Sequence, residues 1–211
     1  NTITPGATHS VIGGGINSRI NAGSTHGFIA GGDRNAIASG LQGSRPSNFS
    51  MIGGGQLNII DTSAAGTSHH NGIASGNNNC MAPDATFNFI GGGDGHRMDG
   101  STSSISGGFS NTVCAVHSFI GGGAVNTINT PGVNFGRNGI MTGYINNITG
   151  TSVFSGIGAG GQNLIETSCA SFIGGGDFNH IRPVAGSGAT VCRSFIGGGV
   201  TNCIFESVSV I

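Results

Sequence analysis

Apolar residues in this chain fall in short pairs beside clusters of glycine, not at the three-to-four-residue spacing of an amphipathic helix. With the apolar residue ahead of each cluster as position zero, eleven anchors emerge: Ile12, Ile29, Ile52, Ile73, Ile90, Ile105, Ile120, Ile140, Ile157, Ile173 and Ile196. Three residues on, every unit carries a glycine, from Gly15 and Gly32 to Gly176 and Gly199. Eight residues on stands Ile, Val or Met, from Ile20 and Ile37 to Ile181 and Ile204. The sixth position is asparagine in nine of the eleven units, with Ser18 and His96 the exceptions. The unit therefore reads I-G-G-G-x-x-N-x-I, and successive anchors lie 15 to 23 residues apart. A constant frame with variable connectors is the pattern of a solenoid, one unit to a turn. Three glycines inside a helix would cost about 1 kcal/mol each, so each unit is predicted to be two short strand pieces joined at a glycine corner.

The predicted fold is all-β: a parallel β-solenoid (β-roll or β-helix) of about eleven rungs, with residues 1–211 forming a single repeat domain. Isoleucines at positions zero and eight are expected to face inward and stack on their counterparts one rung away. The third-position glycine is expected to take a positive φ at the corner. Asn35, Asn58, Asn79, Asn111, Asn126, Asn146, Asn163, Asn179 and Asn202 are expected to form a structural amide ladder. The alternative is a row of independent turn asparagines on the surface.

The residue just before the anchor is Phe28, Phe89, Phe119, Phe172 or Phe195 in five units, and Val11 or Met51 in two more. Neighbouring strand residues point to opposite faces, so these side chains should face outward if the isoleucines face inward. Seven large apolar groups along one side make a patch that calls for burial. The expectation is an oligomer interface, a homotrimer first. The alternative is that long connectors fold back over the phenylalanines.

Composition narrows the function classes. Glycine supplies 43 of 211 residues and charged residues only 7%; disorder normally comes with more charge and fewer β-branched residues. The glycines are clustered, not placed at every third position, which excludes collagen. No apolar run approaches the roughly 18 residues of a membrane span. Seven arginines, from Arg19 to Arg193, and no lysine make no basic stripe, so nucleic acid is not an expected partner. The chain opens at Asn1 and closes at Ile211 within units, so the expectation is an excised or processed piece of a longer fibre, or a subunit that stacks end to end as a filament.

Segments of the form S-F-I-G-G-G-x-x-N-x-I at 118–128, 171–181 and 194–204 resemble the glycine-rich head repeats of trimeric autotransporter adhesins and related repeats of phage and giant-virus fibre proteins. The resemblance covers nearly the whole chain. It implies a trimer of β-rolls or β-helices that projects from a cell or virion and contacts a host glycan, receptor or matrix. The connectors here are longer and less regular than in the adhesin repeats, a departure that suits the virus-fibre form better.

Candidate chemistry is sparse. The match to G-x-G-x-x-G at 156–161 sits inside an ordinary unit with no helix pattern behind it. Asp33, Asp94 and Asp177 share the fourth position but lie on distant rungs, whereas calcium needs oxygen ligands on adjoining turns. His9, His26, His70 and His117 all stand three residues before an anchor; they read as corner residues with a satisfied hydrogen bond, the alternative being a column that binds metal or an anion. Cys114 and His117 form a C-x-x-H without the second pair that zinc needs. The five cysteines, Cys80, Cys114, Cys169, Cys192 and Cys203, read as free thiols, with a Cys192–Cys203 or interchain bridge left open. Asp61 and Asp99 share a column and are the only pair resembling the carboxylates of a glycan depolymerase. Asn48-Phe49-Ser50 and Asn147-Ile148-Thr149 are glycosylation acceptors if the chain is secreted.

The expected function is thus a structural or adhesive fibre module at a virion or cell surface. No catalytic, cofactor-binding or metal residue is assigned. A tailspike-like depolymerase is the alternative, and an ice-binding solenoid a lesser one, since threonine keeps no constant column.

Overall fold

The computed structural model describes residues 1–38, 49–61, 70–82, 85–132 and 136–211. The chain divides into two compact units, 1–108 and 109–211. Both are parallel β-solenoids, and no helix occurs among the described residues.

In unit 1–108 one column of strands carries the anchors: Val11–Ile12, Phe28–Ile29, Met51–Ile52, Gly72–Ile73, Phe89–Ile90 and Ser104–Ile105. A second column runs from Thr2–Ile3 and Arg19–Ile20 to Cys80–Met81 and Arg97–Met98. Each strand pairs in parallel with its counterpart on the next turn, and the repeat sets the register: Ile29 opposes Ile52, and Ile37 opposes Ile60. Unit 109–211 repeats the plan, with Phe119–Ile120, Gly139–Ile140, Gly156–Ile157, Phe172–Ile173 and Phe195–Ile196 in one column. Its second column runs from Thr112–Cys114 to Cys203–Ile204.

Strands of two or three residues have no stability of their own. They persist because every rung hands its backbone groups to the next: Val11 N–H donates to Gly27 at 2.9 Å and Gly13 N–H to Ile29 at 2.9 Å. The cores are the two isoleucine columns. Ten of the eleven anchors are fully buried, and only Ile12 is half-buried.

The third-position glycines all take positive φ. Gly32, at +94°, also has no room for a side chain, since a Cβ there would run into the Gly55 carbonyl and the Asn35 amide. Two further left-handed corners per turn fall, apart from Gly95, on residues other than glycine. One falls at position five, at Arg34, Leu57, Val125, Ile145 and Phe178, with φ of 54–57°. The other falls three residues before the anchor, at His26, Phe87 and Arg193 among others, with φ of 56–57°. For β-branched Val125 and Ile145 this region is uncommon. It is imposed by the stack, because the backbone on either side is already committed to neighbouring turns.

Candidate functional site

The sixth-position asparagines line the inside of each turn. Asn35, Asn58, Asn79, Asn111, Asn126, Asn146, Asn163 and Asn179 are fully buried, and Asn202 is half-buried. Their bonding repeats from rung to rung. Asn58 Nδ2 donates to Gly54 O at 2.9 Å in its own turn and to Gly76 O at 2.8 Å in the next. Its Oδ1 accepts the backbone N–H of Asn79 at 3.1 Å. Asn126 does the same with Gly122, Gly143 and the N–H of Asn146. The side chain thus satisfies corner carbonyls and an N–H that the left-handed corner takes out of the ladder.

A second inward ladder stands two residues before the anchor, where the sequence reads Ser or Asn in nearly every unit. Ser103 N–H donates to Asn88 Oδ1 at 2.8 Å, and Asn88 N–H to Asn71 Oδ1 at 3.0 Å. In unit 109–211 Ser155 N–H donates to Asn138 Oδ1 at 3.0 Å, and Ser194 N–H to Ser171 Oγ at 3.1 Å. The serine of S-F-I-G-G-G was the visible signal for this column.

Flanking that ladder, positions one and three before the anchor point outward. The phenylalanines before the anchors are exposed: Phe28 by 41%, Phe89 by 47%, Phe119 by 39%, Phe172 by 40% and Phe195 by 42%. No described connector covers them. Phe172 and Phe195 stack across consecutive turns, 6.1 Å apart and 7° from parallel. Glycines in the same column make room for the rings, with Phe172 leaning over Gly156 and Phe89 over Gly72.

The histidines of unit 1–108 belong to an aromatic stack. His9, His26, Phe49, His70 and Phe87 occupy successive left-handed corners, with ring centres 4.6–5.1 Å apart and planes within 12° of parallel. These histidines are corner residues, as expected, and their rings also pack on one another and on two phenylalanines, a contact not foreseen from the sequence. His117 sits at the matching corner of unit 109–211. Stack and phenylalanine column together bound an open groove of about 350 Å³, floored by Gly72 and walled by Phe49, His70, Phe87, Met51 and Phe89.

Three of the aspartates are taken up locally. Asp33 accepts from Arg34 at 2.9 Å and from Gln56 at 2.9 Å, and these bonds hold its carboxyl below the usual range. Asp94 accepts from Asn77 at 2.9 Å. Asp99 is ion-paired to Arg97 at 2.8 Å, which occupies one member of the Asp61/Asp99 pair. Among the described residues no group of three or more His, Cys, Asp or Glu is placed to hold a metal. Asn147 lies half-buried on strand Asn147–Thr149, and Asn48 falls outside the described residues.

The cysteines require a correction. Cys169 and Cys192 form a disulfide, with Cα atoms 4.5 Å apart. They oppose each other in an extra parallel pair, Ser168–Cys169 with Val191–Cys192. Both stand four residues before an anchor, Ile173 and Ile196, so counting back from the following anchor puts them side by side on consecutive turns. Cys80, Cys114 and Cys203 take part in no disulfide, and Cys192 is bridged to Cys169, not to Cys203. Burial pushes the Cys80 thiol up.

No family model matches this chain, and a search of curated proteins returns no match.

Proposed function

We propose that this chain is a structural and adhesive fibre module that associates with copies of itself, as a homotrimer, through the outward phenylalanine column, and that it works at a virion or cell surface. The observation that carries the reading is the alignment of exposed Phe172 and Phe195, and of Phe28 beside Met51, on the face opposite the buried isoleucines. Withdrawing about 80 Å² of ring from water per phenylalanine gains about 2 kcal/mol each at the usual area coefficient. Association itself costs about 4–15 kcal/mol, so the interface draws on several such rings from each copy. The Cys169–Cys192 bridge supports an extracellular or virion-surface setting, because structural disulfides persist in oxidising surroundings. The resemblance to adhesin head repeats and viral fibre repeats points the same way.

The test is the double substitution Phe172→Ser and Phe195→Ser, followed by sedimentation velocity. The proposal expects the assembly to fall to monomer while the far-ultraviolet β signal is kept. Unchanged sedimentation of the double variant would remove the phenylalanine column from the interface.

A further inference from the structure

Unit 109–211 carries a pocket that the repeat alone does not explain. Position nine, next to the inward residue of the second strand, is filled on three consecutive turns by Glu166, Arg182 and Phe205. The connector 183–189 leaves the rung at this point and, with Val184 and Ala185 among its lining residues, borders a partly open pocket of about 720 Å³. That volume lies within the range of sites for small ligands.

The connector is held in place. Arg182 N–H donates to Ile204 O at 3.0 Å where the connector starts, and Ser187 N–H closes a turn on Val184 O at 3.1 Å within it. At its far end Val191 N–H donates to Thr167 O at 3.2 Å, and the Cys169–Cys192 bridge fastens the strand that follows.

The polar groups facing this space have unused capacity. The Arg182 guanidinium lies over the Phe205 ring, 5.8 Å from its centre, and its Nε is buried without a hydrogen-bond partner. Glu166 is on the neighbouring turn, yet the two form no ion pair; those among the described residues are Arg34–Asp33 and Arg97–Asp99. A guanidinium fork that is not committed to an ion pair selects a planar carboxylate. A carboxylate one rung away accepts hydroxyl donors. Phe205, Val184 and Ala185 offer an apolar surface to a ring face carrying C–H groups.

We propose that this pocket binds a carboxylated sugar residue, a uronic acid within an acidic glycan. Its carboxylate sits on Arg182, its hydroxyls donate to Glu166, and its C–H face lies against Phe205. The inference rests on the attachment role proposed above and gives that role a ligand chemistry; it does not need the phenylalanine column to be an interface.

The test is calorimetric titration of the full chain with a tetrasaccharide of alternating glucuronate and N-acetylglucosamine, beside the same compound with each carboxylate reduced to a primary alcohol. The acidic form is expected to bind saturably and the reduced form at least tenfold more weakly. Arg182→Met and Phe205→Ser should each weaken binding at least tenfold. Arg137→Met, a guanidinium stacked on Phe154 elsewhere in the unit, should leave it unchanged. Reduction of the disulfide should weaken binding several-fold by freeing the connector. Absence of saturable binding, equal binding of both compounds, or an Arg182→Met protein that binds like wild type would overturn the site. Light scattering on the same samples separates the two proposals: a trimer that ignores the sugar removes only the pocket, and a monomer that binds it removes only the assembly.

Discussion

Replacing Asn163 by leucine, which has the same four-heavy-atom branched side chain without the polar groups, tests whether the amide ladder holds the turns together. Asn163 Nδ2 donates to Gly176 O at 2.7 Å and to Ala159 O at 3.1 Å, and its Oδ1 accepts the N–H of Asn179 at 3.0 Å. The consequences differ by partner. Gly176 O keeps a second donor, the N–H of Gly161 at 3.1 Å, so its loss is partial. Asn179 N–H is buried and loses its acceptor outright. One orphaned buried donor costs about 1–3 kcal/mol, and the lost bonds to carbonyls about 0.5–1.5 kcal/mol each. The expected destabilisation is about 2–5 kcal/mol, a large part of the roughly 5–15 kcal/mol that holds a domain together. The assay is urea unfolding at fixed protein concentration, followed by circular dichroism and by emission from the single tyrosine, Tyr144. Tyr144 reports locally, since its N–H bonds Gly160 O and its carbonyl accepts from Gln162 N–H. Asn147→Leu is the control, a half-buried asparagine with one long side-chain bond of 3.3 Å. If Asn163→Leu costs no more than Asn147→Leu, the ladder does not stabilise the stack.

Three further outcomes are expected. Gly160→Ala should cost about 2–4 kcal/mol, because its φ of +92° penalises a side chain and the new Cβ meets the Gly176 backbone; Gly175→Ala, with open space around it, should change the unfolding midpoint little. Burial, followed by the charge of Arg182, lowers the pKa of His180 from its ordinary 6.5. The folded state therefore resists protonation there: stability is full above pH 6.5 and falls as pH drops toward the folded pKa. Melting curves across that range should show the decline, and His180→Gln should flatten it. Thiol labelling of the native protein should modify exposed Cys203 quickly and Cys80 slowly, with Cys169 and Cys192 unreactive until a reductant is added. Rapid labelling of Cys169 would contradict the bridge.

The sequence made the solenoid visible because its frame rests on residues with few substitutes: isoleucine where two columns fill a narrow interior, and glycine where Gly32 and Gly160 abut the next corner glycine. The other two left-handed corners were hidden, since Leu57, Val125 and Phe87 carry no preference for that conformation and are held in it by the turns around them. The disulfide was readable only by counting backward from the following anchor, because connectors of variable length break the forward numbering between Cys169 and Cys192. The aromatic stack was half visible: four histidines shared a position, but Phe49 and Phe87 complete the run only when the column is read by ring and not by residue type. Glu166, Arg182 and Phe205 share no chemistry and look like three unrelated connector residues, and the fold is what makes them neighbours.

Light scattering on the wild-type chain tests the assembly reading most directly. The account predicts a sharp molar mass three times that of the 20.8 kDa chain, independent of dilution over the micromolar range. A clean monomer at those concentrations would contradict it, leaving the phenylalanine column as an exposed face with no self-association to explain it.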